Sequence, residues 1–549
     1  MDEADAAPGS SWVLADIDVA GEDCQVSPDD RRGTVRDASF ALLRAFGIHT
    51  IFGNPGSTEL PLFRAFPDDF RYVVGLQESV VIGMADGFAQ ATRNAAFVNV
   101  HGSAGLGHAL GNVFTAFRNQ SPLIITAGQQ ARAILPYEPF LYAQQPTDFP
   151  RPFVKWSVEP ARAEDVPAAL ARAYYVAMQP PRGPVFVSVP VDDWDRPCDP
   201  VHARRIGTAI RGDADVLAAM ARALSAAQRP ALVVGAGVAR DQAWNEVIRL
   251  AEMHQARVWV SPMSARNSFP EDHPLFAGFL TAGREPIVRD LTGHDVVAVL
   301  GGPLSFYHVE GFGPHIPDGT ELFMLVDDPT LAQWAPAGTA AITNLKSGVG
   351  ELLALSRPVD RPAPERRVAP AVLDGRDFCD AYLMQQIARL RPRGAPIVEE
   401  APSSRGPMHD YLPIVEEDGF YTCASGGLGH GLPAAIGVAL GRPGTRVIAC
   451  LGDGSAMYAI QGLWTAAQLA LPISFVIVNN RRYQAMFSYA NVFGMQQPIG
   501  CTLPGIDFCA LAQGQGVPAV RVTAAAELDP ALQASFTGTG PSLVEVVFA

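Results

Sequence analysis

The sequence lacks the features that mark several common classes of protein. Its seven cysteines are dispersed and form no Cys-X-X-Cys pair, which indicates reduced thiols rather than a disulfide framework. The formal net charge of −15 argues against nucleic acid and against an anionic membrane surface as partners. No basic segment followed by an apolar one opens the chain, and no apolar run approaches the length of a membrane span. Together these absences predict a cytoplasmic protein.

The chain does contain enough apolar sequence for several cores. Its 549 residues, 48% of them hydrophobic and 18% charged, predict two or three domains of an ordinary globular enzyme. Residues 1–32 are acidic, carry no lysine or arginine before Arg31, and are predicted to form a disordered extension. Proline-rich stretches at 190–200 and 357–370 are interpreted as linkers. We therefore expect three folded domains, at 33–200, 201–365 and 366–549.

Short apolar runs alternate with helix-forming segments in all three domains. This alternation is typical of doubly wound parallel sheets, and it predicts an α/β fold with one such sheet in each domain. One helix is predicted to run continuously from Tyr458 to Leu469. The runs interpreted as strands are His49–Phe52, Tyr72–Leu76, Ala96–Val100, Leu123–Ala127, Pro184–Val189, Ala231–Val234, Ala256–Val260, Val296–Leu300, Leu322–Val326, Val447–Leu451, Ile473–Val478 and Pro541–Val547.

Polar side chains follow two neighbouring strands of the third domain. Asp453 lies between two glycines after the Val447 strand, and Asn480 follows the next strand along the chain. In a right-handed βαβ unit both strand ends reach the same edge of the sheet, so we expect these side chains to lie side by side. Carboxylate and amide oxygens are ligands that Mg²⁺ accepts, and glycines allow the backbone to approach a phosphate. The pair favours a metal site over a plain strand-to-helix turn.

Strand ends in the other domains carry further candidates. Ser57, Glu78 and His101 each follow a predicted strand of the first domain, hence one ligand-facing edge of its sheet. His308 follows the Val296 strand of the second domain. Histidine is a common acid–base group near neutral pH, although a lone histidine at a strand end is more often structural. Taken alone, Glu78 could instead be an acidic residue that only stabilises the N-terminus of a helix.

These motifs resemble those of a known family. The segment 452–455 followed by Asn479-Asn480 resembles the thiamine-diphosphate motif, in which Asp, Asn and a backbone carbonyl two residues later hold the metal. Motifs across all three domains resemble, more narrowly, the benzoylformate decarboxylases among the thiamine-diphosphate-dependent 2-oxo acid decarboxylases. The matching motifs lie at 53–57, 59–61, 76–78, 101–105, 126–130, 152–156, 307–308, 426–429, 432–437 and 463–468.

The resemblance implies cofactors and residue roles. It implies thiamine diphosphate with Mg²⁺, or Ca²⁺ in its place. Glu78 would share a proton with the aminopyrimidine ring, Ser57 would bind the substrate carboxylate, and His101 and His308 would transfer protons. The implied metal ligands are Asp453, Asn480 and the carbonyl of Arg482. The implied cofactor contacts are Gly426, whose carbonyl would accept from the amino group, the apolar wedge Leu428, and Ser403, Gly454, Ser455 and Tyr483.

The sequence departs from the family around the acyl pocket. The chain reads Glu400-Ala-Pro-Ser-Ser-Arg405 where the family has small hydroxyl residues, so Arg405 brings a cation near the site. Thr422 and His430 stand where the family has aromatic rings, which predicts a reshaped and more polar pocket. The residues expected to line it are Phe140, Leu141, Arg405, Thr422, Met486 and Tyr489.

The implied activity is non-oxidative decarboxylation of a benzoylformate-like aryl glyoxylate to an aldehyde and CO₂. The alternatives are a carboligase that joins the acyl group to a second carbonyl compound, an acetolactate synthase-type enzyme and, in another class, a non-catalytic cofactor-binding regulatory protein. Glu78 and the metal motif lie in different domains, which in this family meet across a subunit interface. The resemblance therefore implies a homotetramer, a dimer of dimers, with its active sites at the dimer interface.

Overall fold

The computed structural model describes residues 33–548. The extension predicted to be disordered, residues 1–32, lies outside the described residues. Three six-stranded sheets, in which all neighbouring strands are parallel, carry helices around them, which confirms the predicted α/β fold. Within the described range no helix is long and apolar enough to cross a membrane.

The first sheet lies in the amino-terminal part of the described chain. The strands of this part are β1 (Gly33–Thr34), β2 (Thr50–Asn54), β3 (Arg71–Val74), β4 (Ala96–Val100), β5 (Leu123–Gln129), β6 (Ser157–Val158), β7 (Val185–Pro190) and β8 (Pro197–Cys198). Strands β2 to β7 form the six-stranded sheet, and β1 and β8 form a separate antiparallel pair. The helices are α1 (Val35–Ala45), α2 (Glu78–Thr92), α3 (Gly102–Asn119) and α4 (Val166–Met178).

The second sheet follows after residue 213. Its strands are β9 (Pro230–Val234), β10 (Arg257–Val260), β11 (Phe276–Phe279), β12 (Val296–Leu300), β13 (Glu321–Val326) and β14 (Thr339–Ile342). Its helices are α5 (Ala214–Ala226), α6 (Gly237–Arg240), α7 (Trp244–His254), α8 (Arg284–Leu291), α9 (Pro329–Gln333) and α10 (Leu345–Leu355).

The third sheet follows after residue 379. Its strands are β15 (Ile397–Glu400), β16 (Phe420–Thr422), β17 (Val447–Gly452), β18 (Ile473–Asn479), β19 (Ala519–Val522) and β20 (Ser542–Val547). Its helices are α11 (Asp380–Leu390), α12 (Arg405–Tyr411), α13 (Gly431–Gly441), α14 (Asp453–Met457), α15 (Gly462–Gln468), α16 (Gln484–Val492), α17 (Phe508–Gly514) and α18 (Ala525–Thr537).

The first and third sheets share one topology, and the second differs. Their strand orders are β3-β2-β4-β5-β7-β6 and β16-β15-β17-β18-β20-β19, whereas the second sheet runs β11-β10-β9-β12-β13-β14. In the first and third sheets the chain reverses direction across the sheet between β2 and β4 and between β15 and β17. Parallel α/β sheets bind ligands outside the carboxyl ends of the strands at such points.

The prediction of one continuous helix from Tyr458 to Leu469 is wrong. The chain instead forms α14 directly after β17 and α15 only from Gly462, with three-residue turns between them. A Cβ at Gly462 would lie 2.5 Å from Leu432, so this turn packs its backbone closely against α13. Tertiary contact of this kind overrides local helix propensity, which is favourable in much of the segment but low at Gly462.

Helices α2 and α13 hold the first and third sheets together. A Cβ at Gly437 would lie 1.9 Å from the carbonyl oxygen of Met84, and one at Gly87 would lie 2.2 Å from the carbonyl oxygen of Ala434. The two backbones are therefore in direct contact, without side chains between them. This contact fixes the start of α2, which carries Glu78, relative to the start of α13.

The second sheet is attached to the third through the segment after β10. Arg266 forms an ion pair with Asp418, and the backbone N–H of Thr422 donates to the carbonyl oxygen of Ala265 at 3.0 Å. This attachment places the loops around the second sheet above the carboxyl edge of the third sheet.

Candidate active site

Asp453 and Asn480 converge on one backbone group at the carboxyl edge of the third sheet. The Oδ2 atom of Asp453 and the Oδ1 atom of Asn480 each accept from the N–H of Arg482, both at 3.2 Å. Asp453 is 4% exposed, and its burial raises the pKa of the carboxyl group, an effect that backbone N–H groups oppose. The two strand ends therefore present two side-chain oxygen atoms side by side. This is the position predicted for both side chains from the ends of neighbouring parallel strands.

Asn479, by contrast, faces into the sheet. Its Nδ2 atom donates to the buried carboxylate of Glu545 at 2.7 Å, and its Oδ1 atom accepts from the N–H of Arg481. Of the two consecutive asparagines, only Asn480 therefore has its side chain beside Asp453.

Two glycines near this pair have different surroundings. A Cβ at Gly454 would lie 2.3 Å from the ring of Tyr483, so Tyr483 occupies the space that a side chain at position 454 would need. Ser455 is buried in the first turn of α14. Gly426 has a φ of +73°, which favours glycine, and a Cβ there would meet no atom within 4 Å. Open space therefore lies beside Gly426.

A buried carboxyl group holds the loop between Gly426 and α13. Glu400 accepts from the backbone N–H groups of Gly429 and Gly431 at 2.8 Å and of His430 at 3.2 Å. Burial raises the pKa of Glu400 to about 7. The loop that also carries the half-buried Leu428 is thus fixed by one side chain at the end of β15.

Glu78 is the first residue of α2 and is almost fully buried at 7% exposure. Its Oε1 atom accepts from Asn54 Nδ2 at 3.2 Å, and its Oε2 atom lies 3.2 Å from His108 Nδ1. A Cβ at Gly105 would lie 2.9 Å from Oε1. The carboxyl group is therefore held between the end of β2 and the first two turns of α3.

His101 and the turn that carries Ser57 are in contact. The imidazole packs on Gly56, where a Cβ would lie 2.1 Å from Nδ1. The same Nδ1 atom lies 2.8 Å from Glu59 Oε2. Glu59 is 1% exposed and also accepts from the N–H groups of Gly56 and Gly128. Because a carboxylate can only accept, Nδ1 is the donor in this contact, and Nε2 has no hydrogen-bond partner among the described residues.

His308 lies in a cavity that we call the cleft. It has a volume of about 740 Å³ and lies between the loops of the second sheet and the third sheet. The imidazole of His308 stacks on Tyr489, with ring centroids 4.5 Å apart. The residues that line the cleft include Met263, Phe279, His308, Arg367, Arg405, His409, Tyr489 and Val492.

Arg405 belongs to a buried polar cluster at the edge of this cleft. Its Nε and Nη2 atoms donate to Glu399 Oε2 at 2.9 and 2.6 Å, and Nη2 also donates to Thr422 Oγ1 at 2.9 Å. Glu399 and Thr422 are each 1% exposed. The region is polar, as predicted, but Arg405 adds no net charge to it because Glu399 neutralises the guanidinium group.

His430 has a structural partner away from the cleft. It is fully buried, and its Nε2 atom lies 2.8 Å from Oδ2 of Asp86 in α2. Burial alone would lower the pKa of His430, but the Asp86 carboxylate outweighs it and the pKa is raised. The expectation that His430 reshapes the acyl pocket is not met: its side chain joins α13 to α2.

The predicted site residues thus form two groups within one chain. The first-sheet group comprises Ser57, Glu78 and His101, with Phe140 (87% exposed) and Leu141 on the exposed loop after β5. The third-sheet group comprises Ser403, Arg405, Thr422, Gly426, Leu428, Asp453, Gly454, Ser455, Asn480, Arg482, Tyr483, Met486 and Tyr489, with His308 above them. Among the described residues, those that line the cleft include no member of the first-sheet group.

Three carboxylates that organise the site were not assigned these functions from the sequence. Glu59 orients His101, Glu399 binds Arg405, and Glu400 holds the loop before α13. Glu59 and Glu400 act on residues 42 and 29 positions away, and Glu399 acts on a residue six positions away in the next helix. The only available signal was their position next to candidate residues at strand ends.

Family models match all three parts of the chain. The N-terminal TPP-binding domain of thiamine pyrophosphate enzymes matches residues 33–149, the central domain of these enzymes matches 217–333, and their C-terminal TPP-binding domain matches 403–546. A benzoylformate decarboxylase of Pseudomonas aeruginosa is 40% identical over 519 residues, which cover 93% of this chain and 98% of that protein. The acetolactate synthase large subunit of Haemophilus influenzae is 24% identical over 526 residues, 90% of this chain and 91% of that protein.

Solved structures show the same similarity. The crystal structure of benzoylformate decarboxylase from Polynucleobacter necessarius superposes with a TM-score of 0.92 at 38% identity, covering 94% of this chain and 98% of that one. The thiamine diphosphate-dependent 4-hydroxybenzoylformate decarboxylase of Rhodococcus jostii RHA1 superposes with a TM-score of 0.90 at 37% identity, covering 94% and 99%.

Proposed function

The chain belongs to the thiamine pyrophosphate enzyme family, and on that premise we propose that it decarboxylates a benzoylformate-like aryl 2-oxo acid to an aldehyde and CO₂. The observation that carries the proposal is the pairing of two features in one chain. Asp453 and Asn480 converge beside glycines at the carboxyl edge of the third sheet. The buried Glu78 begins a helix at the carboxyl edge of the first sheet.

The residues of the third-sheet group fit the diphosphate end of the cofactor. Asp453, Asn480 and the carbonyl of Arg482 would hold Mg²⁺, or Ca²⁺ in its place, because hard cations prefer such oxygen ligands. Gly454, Ser455, Ser403 and Tyr483 would contact the diphosphate; of these, Tyr483 packs directly on Gly454, and Ser455 lies in the first turn of α14. When bound, thiamine diphosphate supplies the nucleophilic carbon and the electron sink for the decarboxylation.

The residues around Gly426 and Glu78 fit the ring end of the cofactor. Glu78 would hold a proton at its carboxyl group for exchange with the aminopyrimidine nitrogen. The Gly426 carbonyl would accept a hydrogen bond from the cofactor's amino group, and Leu428 would supply an apolar support. Glu400 holds the 429–431 backbone, which supports the segment that carries both groups.

Substrate handling is assigned to side chains of both groups. Ser57 would orient the substrate carboxylate, and it lies next to Gly56, on which His101 packs. His101 would move a proton at Nε2, since Glu59 engages Nδ1. His308 would transfer a proton in the cleft, where its ring is oriented by Tyr489. The acyl pocket would include Thr422, Met486 and Tyr489, with Phe140 and Leu141 contributed by another subunit.

The assembly is part of the proposal. We place the domains at 33–200, 201–365 and 366–549, and we assign a homotetramer in which first-sheet and third-sheet groups of different subunits complete each site. Large apolar side chains that are exposed in the single chain support this assembly: Leu60, Leu76, Tyr137, Phe140, Tyr458, Val492, Phe493 and Ile499. A cytoplasmic location fits the six free cysteines among the described residues.

A carboligase is the second candidate function. The cleft of about 740 Å³ is large for one aryl acyl group, so it has room for a second carbonyl compound. Such a compound would compete with the proton that His101 or His308 delivers. An acetolactate synthase-type reaction is less favoured because those relatives match at lower identity.

The test is turnover of a panel of 2-oxo acids with thiamine diphosphate and Mg²⁺, with and without acceptor aldehydes, measuring CO₂, aldehyde and coupled products. We expect CO₂ and aldehyde from aryl 2-oxo acids. Glu78→Gln should lower kcat by about 10²- to 10⁴-fold, while cofactor binding measured by calorimetry persists.

The matched control is Glu321→Gln, which changes an exposed glutamate at the start of β13. Its turnover should equal that of the unmodified protein. Turnover that is insensitive to Glu78→Gln would reject the function assigned to Glu78 and with it this enzyme assignment. Cofactor binding without turnover of any 2-oxo acid would reject the assignment in favour of a regulatory protein.

A further inference from the structure

Arg405 enters the cleft with one side of its guanidinium group already engaged. Nε and Nη2 donate to Glu399, and Nη2 also reaches Thr422. The remaining nitrogen, Nη1, donates to Met263 Sδ at 4.0 Å. Because a thioether is a weak acceptor, Nη1 retains donor capacity that the described residues do not satisfy strongly, and both Arg405 and Met263 line the cleft.

This donor is held in a defined position. Glu399 is 1% exposed at the end of β15, and its Oε1 atom accepts from the N–H of Ala401 at 2.6 Å. Two nitrogens of Arg405 bind the other oxygen, so the plane of the guanidinium group is set by a buried, anchored carboxylate. Fixed geometry of this kind lets a single donor discriminate between ligands, since little side-chain freedom is lost on binding.

The other charged groups of the cleft are also paired. Arg367 binds Asp410 near the surface, and His409 lies 3.0 Å from the buried carboxylate of Glu271. Glu285 at the rim accepts from the backbone N–H of Phe312. The cleft therefore offers no uncompensated positive charge among these pairs. Arg405 differs from Arg367 in its partner, because two of its nitrogens bind the buried Glu399, whereas Arg367 binds the partly exposed Asp410 through one nitrogen.

The balance of charge decides what Nη1 can bind. A substrate carboxylate would have to leave water for a site where Glu399 already cancels the cation, so its desolvation would be poorly offset. A neutral hydroxyl oxygen loses far less hydration and accepts the same hydrogen bond. The geometry thus favours a neutral oxygen over a second anionic group.

We propose that Arg405 is a specificity-determining residue whose Nη1 donates a hydrogen bond to a hydroxyl oxygen on the acyl group of the substrate. This assignment rests on the proposed decarboxylation and narrows its substrate to hydroxylated aryl 2-oxo acids. His308 lines the same cleft, so the hydroxyl and the reacting end of such a substrate share one cavity.

The experiment compares kcat/KM for benzoylformate, its ring-hydroxylated isomers and a ring-carboxylated analogue in the holoenzyme. At least one hydroxylated isomer should exceed benzoylformate by about 10-fold, the usual scale for a hydrogen bond to a charged group. The variant is the double change Glu399→Gln with Arg405→Met, which removes both charges and leaves no unpaired buried carboxylate. It should abolish the hydroxyl preference, and thermal melting checks that it folds.

The matched control is Arg367→Met, which removes another cleft arginine whose partner lies near the surface. The ratio of hydroxylated to unsubstituted substrate should stay unchanged in this variant. A second readout needs no turnover: calorimetric affinities of hydroxylated and unsubstituted benzaldehydes for the same proteins should show the same preference and the same loss.

The outcomes separate this inference from the proposed function. If no 2-oxo acid is decarboxylated, the proposed function fails, and the aldehyde affinities still decide the role of Arg405. If benzoylformate is decarboxylated without a hydroxyl preference, or the double variant keeps the preference, the role of Arg405 is overturned. A stronger preference for the carboxylated analogue would overturn it as well, since Arg405 would then act as an anion-binding cation.

Discussion

Three backbone N–H groups and complete burial act in opposite directions on Glu400. The N–H groups of residues 429–431 favour its ionised form, whereas burial favours the protonated one, and burial prevails with a pKa of about 7. Glu400 thus titrates near neutral pH while it holds the loop before α13.

This titration should appear in the stability of the protein. The folded protein keeps the Glu400 proton up to about pH 7, whereas a glutamate of ordinary pKa releases it near 4.5. The folded state therefore binds more protons in this window, and the free energy of unfolding should fall as pH rises from 4.5 to 7. Glu400→Gln should make this decline shallower, as measured by urea unfolding at several pH values.

The Asp86–His430 pair sets the background for this measurement. The raised pKa of His430 also contributes stability at low pH that is lost as pH rises through that pKa, so some decline persists in Glu400→Gln. Glu321→Gln, an exposed change, should leave the decline unaltered. An identical pH profile for Glu400→Gln and the unmodified protein would contradict the prediction.

Individual residues differ in how far their sequence context defines them. Asp453 and Asn480 could be paired in advance, because parallel strand ends meet at one edge whatever the side-chain packing is. The partners of Arg405 and His430 could not, since Glu399 and Asp86 are reached through packing between strands and helices. The roles of Ser57, Glu78, His101 and His308 stay predictions that mutagenesis must test.

At the scale of elements, α2 and α13 pack so closely that their backbones are in direct contact. Three glycines, Gly83, Gly87 and Gly437, allow the helices to approach until backbone meets backbone or proline. Such contacts tolerate no added side-chain atom, because neither backbone can move without shifting its whole helix.

Gly437→Ala should therefore destabilise the protein. Its Cβ would lie 1.9 Å from the carbonyl oxygen of Met84, and overpacking of this kind costs about 1–3 kcal/mol or more of the free energy of unfolding. Urea unfolding and cofactor-dependent turnover should both report the loss.

Gly350→Ala is the matched control, since Gly350 lies in α10 with no atom within 4 Å of an added Cβ. It should be neutral or stabilise the protein by about 0.5–1 kcal/mol, the helix-propensity difference. Equal stability of the two variants would mean that α2 and α13 are not in the contact described.

Long apolar strands could be located from the sequence, whereas of the edge strands of the three sheets only β3 was located. The predicted Ala96–Val100 and Val296–Leu300 strands coincide with β4 and β12 because their burial on both faces leaves an uninterrupted apolar run. Strands β16 and β19 have only three and four residues at sheet edges, so they leave little pattern. The break between α14 and α15 depends on contact with α13, which local propensity does not report.

At the scale of the molecule, the first-sheet and third-sheet groups lie on separate carboxyl edges. The hydrogen bonds around Glu78 involve Asn54 and His108, whereas those of Asp453 involve Gly454 and Arg482. No hydrogen bond in the described part of the chain links these two sets. The proposed subunit arrangement would bring them together.

Mixing two inactive variants tests that arrangement. If sites form across subunits, a mixed dimer of Glu78→Gln and Asp453→Ala contains one site with both native residues, so turnover should reappear after subunit exchange. Turnover is measured for each variant alone and for the mixture, with light scattering to record the oligomeric state.

A pair from the same group is the control. Glu78→Gln mixed with His101→Ala should stay inactive, because both changes fall in the first-sheet group and every site then carries one of them. Failure of the first mixture under proven subunit exchange would show that each site is completed within one chain.

The backbone contact between α2 and α13 has a consequence for how this protein can diverge. A lineage cannot adjust the spacing between Glu78 and the loop held by Glu400 in small steps, since even a methyl group at Gly437 meets a carbonyl oxygen. New substrates must instead be acquired at the rim, through exchanges such as those around Arg405 and Tyr489. Substitutions that alter the reaction and substitutions that alter substrate recognition therefore fall in different parts of the chain.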